Sequence, residues 1–180
     1  MINTPHTPLY RVGMGYDVHK LAEGQAFWLG GIQIEHTHGA VGHSDADVLI
    51  HAICDALLGA ANLGDIGAHF PDTDQQYKGI DSKLLLARVM EVVREHKYEV
   101  ANIDSTVCLQ TPKLRPHIAS MQQTLAEVMK VRVEDLSIKA TTTERLGFVG
   151  RQEGVSAYAV AMLYRATPST DTDFQTYNRL

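Results

Sequence analysis

The 180-residue chain contains only two cysteines, Cys54 and Cys108. Each sits inside an apolar segment, so no disulfide framework is expected. Two reduced thiols fit a cytoplasmic protein. No run approaches the roughly 20 apolar residues that cross a membrane. The opening stretch, MINTPHTPLY, has neither the basic start nor the apolar middle of an export signal. Basic runs are also missing. With 16 Lys and Arg against 21 Asp and Glu, the net charge is −5, which argues against a nucleic-acid footprint. There is no internal repeat, no P-loop (G-x-x-x-x-G-K-[ST]) and no H-E-x-x-H zinc-protease signature. What remains is ordinary for a globular domain: 44% hydrophobic, 21% charged, and long enough to bury a real core.

The hydrophobic pattern alternates between two periods. YRVGMGYDV (10–18) reads as a strand. AFWLGGIQIE (26–35) reads as a strand pair around a Gly30–Gly31 turn. Residues 44–64 carry a helical period, with Ser44 and Asp47 in capping-box spacing and Gly64 as the stop. DSKLLLARVMEVVREHKY (81–98) is a second amphipathic helix capped by Asp81 or Ser82. VANIDSTVCLQ (100–110) has period two. Residues 115–131 form a third helix with Pro116 in its first turn. LSIKATT and GVSAYAVAMLYRA close the chain as strands. This order predicts an α/β fold of the α+β type: a two-layer sandwich, helices on one face of a mixed sheet. The uncovered sheet face then calls for a partner copy, hence a homo-oligomer. A single domain spans about 10–166, with a loose arm (1–9) and a polar tail (167–180) outside it.

Asp17 and His19 stand two residues apart on the first strand and so point the same way. His51 comes from the first helix, which could pack beside that strand. Two imidazoles and a carboxylate suit zinc with an open fourth position. Without the metal, the same residues would be a solvated strand face and a helix-surface ion pair between His51 and Asp47 or Asp55. In the metal reading, Asp47 or Asp55 would orient the His51 ring. His43, Ser44, Asp45 and Asp47 gather at a helix start, where an anion could sit. LGDIGAHFPDTD (63–74) is either an acidic surface loop or a substrate-binding one. Lys113 and Arg115 before a helix, and Thr141, Thr142 and Thr143 at a strand end, offer what a diphosphate needs. Plain β propensity also explains the threonines. Glu144 is a hard oxygen ligand suited to Mg²⁺. Together these point to metal-assisted phosphoryl transfer. A zinc hydrolase and a non-catalytic diphosphate-binding module are the competing readings.

GYDVH, GHSDADVLIHAICDALLGAANLGDIGAHFPDTD, PKLRPH and KATTTERLGFVGRQEG occur in order between residues 10 and 166. With this set the chain resembles the 2-C-methyl-D-erythritol 2,4-cyclodiphosphate synthases of the non-mevalonate isoprenoid pathway. The resemblance implies a homotrimer with active sites at subunit interfaces. It implies Zn²⁺ on Asp17, His19 and His51, and Mg²⁺ or Mn²⁺ on Glu144 bridging substrate phosphates. His43 and Thr142 would stabilise the transition state. Ser44, Asp65 and Gly67, with Phe70, Asp72 and Asp74, would hold the methylerythritol phosphate. Thr111, Pro112, Lys113, Leu114 and Arg115, with Thr141 and Thr143, would form the nucleotide-diphosphate side. Phe148 and Arg151 would lie near a central cavity associated with isoprenoid diphosphates.

Overall fold

The computed structural model describes residues 9–71 and 77–166. Five strands form one mixed sheet: β1 (Tyr10–Glu23), β4 (His38–Val41), β5 (Tyr98–Cys108), β6 (Leu136–Thr141) and β7 (Gly154–Arg165). Their order is β4-β1-β7-β5-β6, with only β5 and β6 parallel to each other as neighbours. β2 (Phe27–Leu29) and β3 (Ile32–Ile34) form a separate hairpin around Gly30–Gly31, as their pattern predicts. The first strand runs five residues beyond its apolar pattern, because Lys20–Glu23 pair with β4. The three long helices, α1 (Val48–Ala61), α3 (Ser82–Glu95) and α4 (Ile118–Met129), make the second layer. Two one-turn helices, α2 (Ile66–His69) and α5 (Gly147–Gly150), sit in connections. The predicted two-layer α/β architecture is therefore the one observed.

Period-two alternation explains the two sheet faces. On β1 the odd positions from Gly13 to Leu21 face the helices, and the even positions point away. On β7, Val155, Ala157, Ala159, Ala161 and Leu163 are buried under α1. α1 is buried nearly all round, since α3 covers its other side. It also lies unusually close to the sheet. A Cβ at Gly13 or Gly15 would collide with the α1 backbone at Ala56 and Ala60 or at Ala52. Backbone meets backbone there because neither strand residue has a side chain.

The predicted helix start needs correction. Ser44 does not cap α1; Asp47 does. Asp47 is completely buried and accepts from Leu49 N and Ile50 N at the helix end. It also accepts from Gly30 N at 2.9 Å and Gly31 N at 2.7 Å in the hairpin. One carboxylate thus satisfies four backbone donors and locks the hairpin to the helix. Burial pushes its pKa up, even though those N–H groups pull the other way. At the far end Asn62, in the left-handed conformation, ends the helix two residues before Gly64. α3 is capped by Asp81. Both cysteines are free, with Cys54 buried.

Beyond the helices, the even side chains of β1 and β7 form an exposed apolar face. Tyr10 pairs with Tyr164, Val12 with Met162, Met14 with Val160, and Tyr16 with Tyr158. Val12 and Met14 are 64% and 65% exposed, and the Tyr16 and Tyr158 rings meet at 4.8 Å. Residues 1–8 and 167–180, most of the expected arm and the tail, lie outside the described residues, as do Asp72 and Asp74.

Candidate metal centre and its neighbourhood

β1 aims Asp17 and His19 at the helix side of the sheet, and the close approach of α1 brings His51 to meet them. Asp17 Oδ2 lies 3.0 Å from His19 Nε2 and 3.0 Å from His51 Nδ1. The two ring nitrogens are 3.1 Å apart. Among the described residues this is the one group of three side chains with ligand atoms so gathered. Three donors in a near-equilateral triangle match the roughly 3.3 Å edge of a tetrahedral zinc site. The donor set, two imidazoles and one carboxylate, leaves a fourth direction open to the cavity. The residues therefore fit a zinc ion.

Electrostatics support a cation at this point. Burial alone would raise the Asp17 pKa. Hydrogen bonds and charge from His19 and His51 outweigh it and hold the carboxyl well below the usual carboxylate range. Burial lowers the His51 pKa, but the Asp17 hydrogen bond and charge, with Asp47 and Asp45 behind, bring it above its ordinary value. In other words, Asp17 is built to stay negative, and the cluster attracts positive charge.

The sequence expects Asp47 or Asp55 to orient His51, and the structure corrects this. Asp47 is occupied by its four N–H donors, and Asp55 accepts from Ile66 N at 2.8 Å, tying α2 to α1. His51 Nε2 instead meets Ser82 Oγ at 3.0 Å and Ser44 Oγ at 3.1 Å. Ser82 in turn donates to Asp45. Helical spacing from His51 could not reveal a partner on a different helix. The Asp81–Ser82 pair read only as a cap.

Asp17, His19 and His51 sit in a cavity of about 510 Å³, also lined by His43, Ser44, Gly67, Phe70, Pro71, Tyr77 and Ile80. His43 Nε2 is buried and has no hydrogen-bond partner among the described residues. Asp65 caps α2 through Ala68 N and is itself exposed. A second cavity, about 590 Å³, is lined by Pro112, Lys113, Leu114, Arg115, Thr141 and Thr142 among others. At its edge Thr111 donates to Gln152 and Thr143 to the Leu146 carbonyl. Glu144 takes a positive φ and accepts from the Thr142 hydroxyl at 2.9 Å. Phe148 lies over Gly154, and Arg151 pairs with Glu153.

His43 and Thr142 thus line different cavities. The register shows how far apart these are. Asp17, Ala157, Val107 and Ala140 form one row across β1, β7, β5 and β6. Three strand spacings put the two cavities about 15 Å apart at the same end of the sheet.

Comparison with known proteins agrees with this geometry. Over 157 residues the chain is 66% identical to the 2-C-methyl-D-erythritol 2,4-cyclodiphosphate synthase of Porphyromonas gingivalis (strain ATCC BAA-308 / W83), covering 87% of this chain and 97% of that one. The solved structure of a CDP-bound 2C-methyl-D-erythritol-2,4-cyclodiphosphate synthase superposes with a TM-score of 0.79 at 36% identity. That match covers 85% of this chain and 99% of the other. The bifunctional IspDF from Campylobacter jejuni superposes with a TM-score of 0.84 at 43% identity. There, 87% of this chain spans only 42% of the larger protein. The sequence profile of the YgbB family matches residues 10–164, so nearly all of the described fold is accounted for, and the chain belongs to the YgbB family.

Proposed function

We propose that the chain converts 4-diphosphocytidyl-2-C-methyl-D-erythritol 2-phosphate to 2-C-methyl-D-erythritol 2,4-cyclodiphosphate with release of CMP. The observation that carries this reading is the convergence of Asp17, His19 and His51 on one point inside a cavity. Family membership supplies the substrate. The attacking oxygen belongs to the substrate's own 2-phosphate. It forms a bond to the β-phosphorus while the bond from that phosphorus to the α-phosphate oxygen breaks. CMP departs with the electron pair, and no water is consumed.

The protein's work is then positioning and charge compensation. Asp17, His19 and His51 would hold Zn²⁺, which would supply a positive charge to draw electron density from the substrate phosphate. Glu144, a carboxylate whose backbone turn presents it outward, would hold Mg²⁺ or Mn²⁺, which would supply charge compensation for the diphosphate. Ser44 and His43 Nε2, unpartnered among the described residues, offer hydrogen bonds to the phosphate at the reacting end, and Thr142 offers one from the other side. Asp65, Gly67 and Phe70 border the methylerythritol end. Thr111, Pro112, Lys113, Leu114, Arg115, Thr141 and Thr143 cradle the cytidine diphosphate. A synthase of this kind binds CDP in its solved structure, which supports the nucleotide assignment.

One domain, residues 10–166, carries the activity, but one copy of it does not complete the site. The metal cluster and the nucleotide cavity are too far apart for one diphosphate to bridge them within a chain. A homotrimer would place the nucleotide cavity of one copy against the metal cluster of the next. The exposed face of Tyr10, Val12, Met14, Tyr16, Tyr158 and Val160 gives it a surface to bury. Phe148 and Arg151 then border an axial cavity suited to an isoprenoid diphosphate. No helix among the described residues is long and apolar enough to cross a membrane; a cytoplasmic site of action belongs to the proposed reading.

The test is ³¹P NMR of the protein with substrate, Zn²⁺ and Mg²⁺. Equal amounts of CMP and cyclic diphosphate are expected. A linear product would indicate a hydrolase instead, and unchanged substrate a binding protein.

A further inference from the structure

Residues 43–47 are stitched to residues 79–82 behind the metal cluster. Gly79 N donates to the His43 carbonyl and Asp45 N to the Ile80 carbonyl. Ser82, fully buried at the start of α3, gives its backbone N–H to Asp45 Oδ2 at 3.0 Å and its hydroxyl proton to Asp45 Oδ1. Once Nδ1 is given to a metal, the proton count has one solution. A carboxylate only accepts, so the single Ser82 hydroxyl proton is committed to Asp45. Ser82 Oγ can then only accept from His51 Nε2, 3.0 Å away. With a metal on Nδ1, Nε2 carries the ring proton and gives it to Ser82 Oγ; without a metal, Nδ1 carries a proton to Asp17 Oδ2, 3.0 Å away.

We propose that Ser82, held by Asp45, is a positioning residue that keeps His51 in the one tautomer able to bind a metal through Nδ1. The proposal rests on reading Asp17, His19 and His51 as a metal centre. Ser44 does not duplicate the role. Its oxygen also approaches Nε2 at 3.1 Å and accepts from Ala46 N, but its own proton is uncommitted. Ser44 can therefore face the ring as donor or acceptor and does not select a tautomer.

The test needs metal and protein only. In Zn²⁺-loaded wild-type protein, ¹⁵N NMR should find His51 bound through Nδ1 with its ring proton on Nε2. Zinc on Nε2 with the proton on Nδ1 would overturn the proposal, and this reading requires no variant to fold. Zn²⁺ affinity, measured by competition with a chromogenic chelator, should fall by about 10- to 100-fold in Ser82→Ala. Asp81 remains as the helix cap in that variant. Asp45→Asn should lose at least as much. With its oxygen on Ser82 N–H, its amide would point at Ser82 Oγ, releasing the Ser82 proton towards His51. Unchanged affinity in both variants, with tight binding by wild type, would overturn the positioning role and leave the metal centre standing. A wild-type protein that binds no Zn²⁺ would remove both.

Discussion

Two cavities open at the same end of one sheet, and they are built to different degrees of completion. Around Asp17 three ligand atoms lie within 3.1 Å of one another, their side chains between 14% and 25% exposed, and Ser82 and Asp45 stand behind them. Around Thr142 the chemistry-bearing side chains face outward. Lys113, Arg115 and Glu144 are exposed, and Glu144 leans only on its neighbour Thr142. The first cavity is preorganised within a single chain, as a candidate metal centre must be if its donor atoms are to beat the entropy of being gathered. The second has no comparable gathering of side chains, which is the reason the proposed function completes it from another copy.

The sharpest way to break the comparison is to remove the finished half. His51→Ala should lose bound zinc, read by elemental analysis, and turnover by about 1,000-fold or more, because an aligned charge is worth several kcal/mol in phosphoryl transfer. A variant with normal zinc and normal turnover would dismiss His51 as a ligand. Next comes the sharing of sites between copies. Mixing inactive His51→Ala with inactive Thr142→Ala, after dissociation and reassembly, should restore about a quarter of wild-type turnover if each site draws its halves from two copies. No recovery in assembled mixed oligomers would confine the site to one chain. A smaller effect belongs to the unfinished half. Glu144→Gln should raise the Mg²⁺ concentration needed for half-maximal rate by about 10-fold while zinc stays bound, since it removes one hard oxygen ligand. Loss of zinc would merge the two metal roles.

Much of this was legible in the chain. The strand spacing of Asp17 and His19 and the helical period around His51 both mark side chains that share a face. The two-layer order follows from the switching of periods. The helix start was not legible. Ser44, Asp45 and Asp47 are all good caps, and what selects Asp47 is the pair of N–H groups of Gly30 and Gly31, 17 and 16 residues back. The support for His51 was hidden for the same reason. Ser82 is 31 residues away and looks like part of a helix cap, and only packing of α3 against α1 brings it to the ring. Local pattern reports which face a residue takes, while contact between elements decides which polar group it finds there.

The smallest expected effect is one of pH, in protein stripped of metal. Asp17 has its pKa lowered by folding, so its contribution is present above about 4 and is lost as pH falls through the folded value. His51 has its pKa raised, so its contribution is full below about 6.5 and is lost as pH rises through the folded value. The pair therefore stabilises most between about 4 and 6.5. Urea unfolding should show Asp17→Asn losing on the order of 1 kcal/mol in that window, with the gap closing on either side. A gap independent of pH would mean that the cluster is held by packing alone.

The two glycines under α1 give the metal centre a kind of gauge. The ligands come from two elements, and the distance between those elements is set by bare backbone at Gly13 and Gly15, not by adjustable side chains. A single methyl group at either glycine would lift the helix, carry His51 away from Asp17 and His19, and undo three ligand positions without touching any of them.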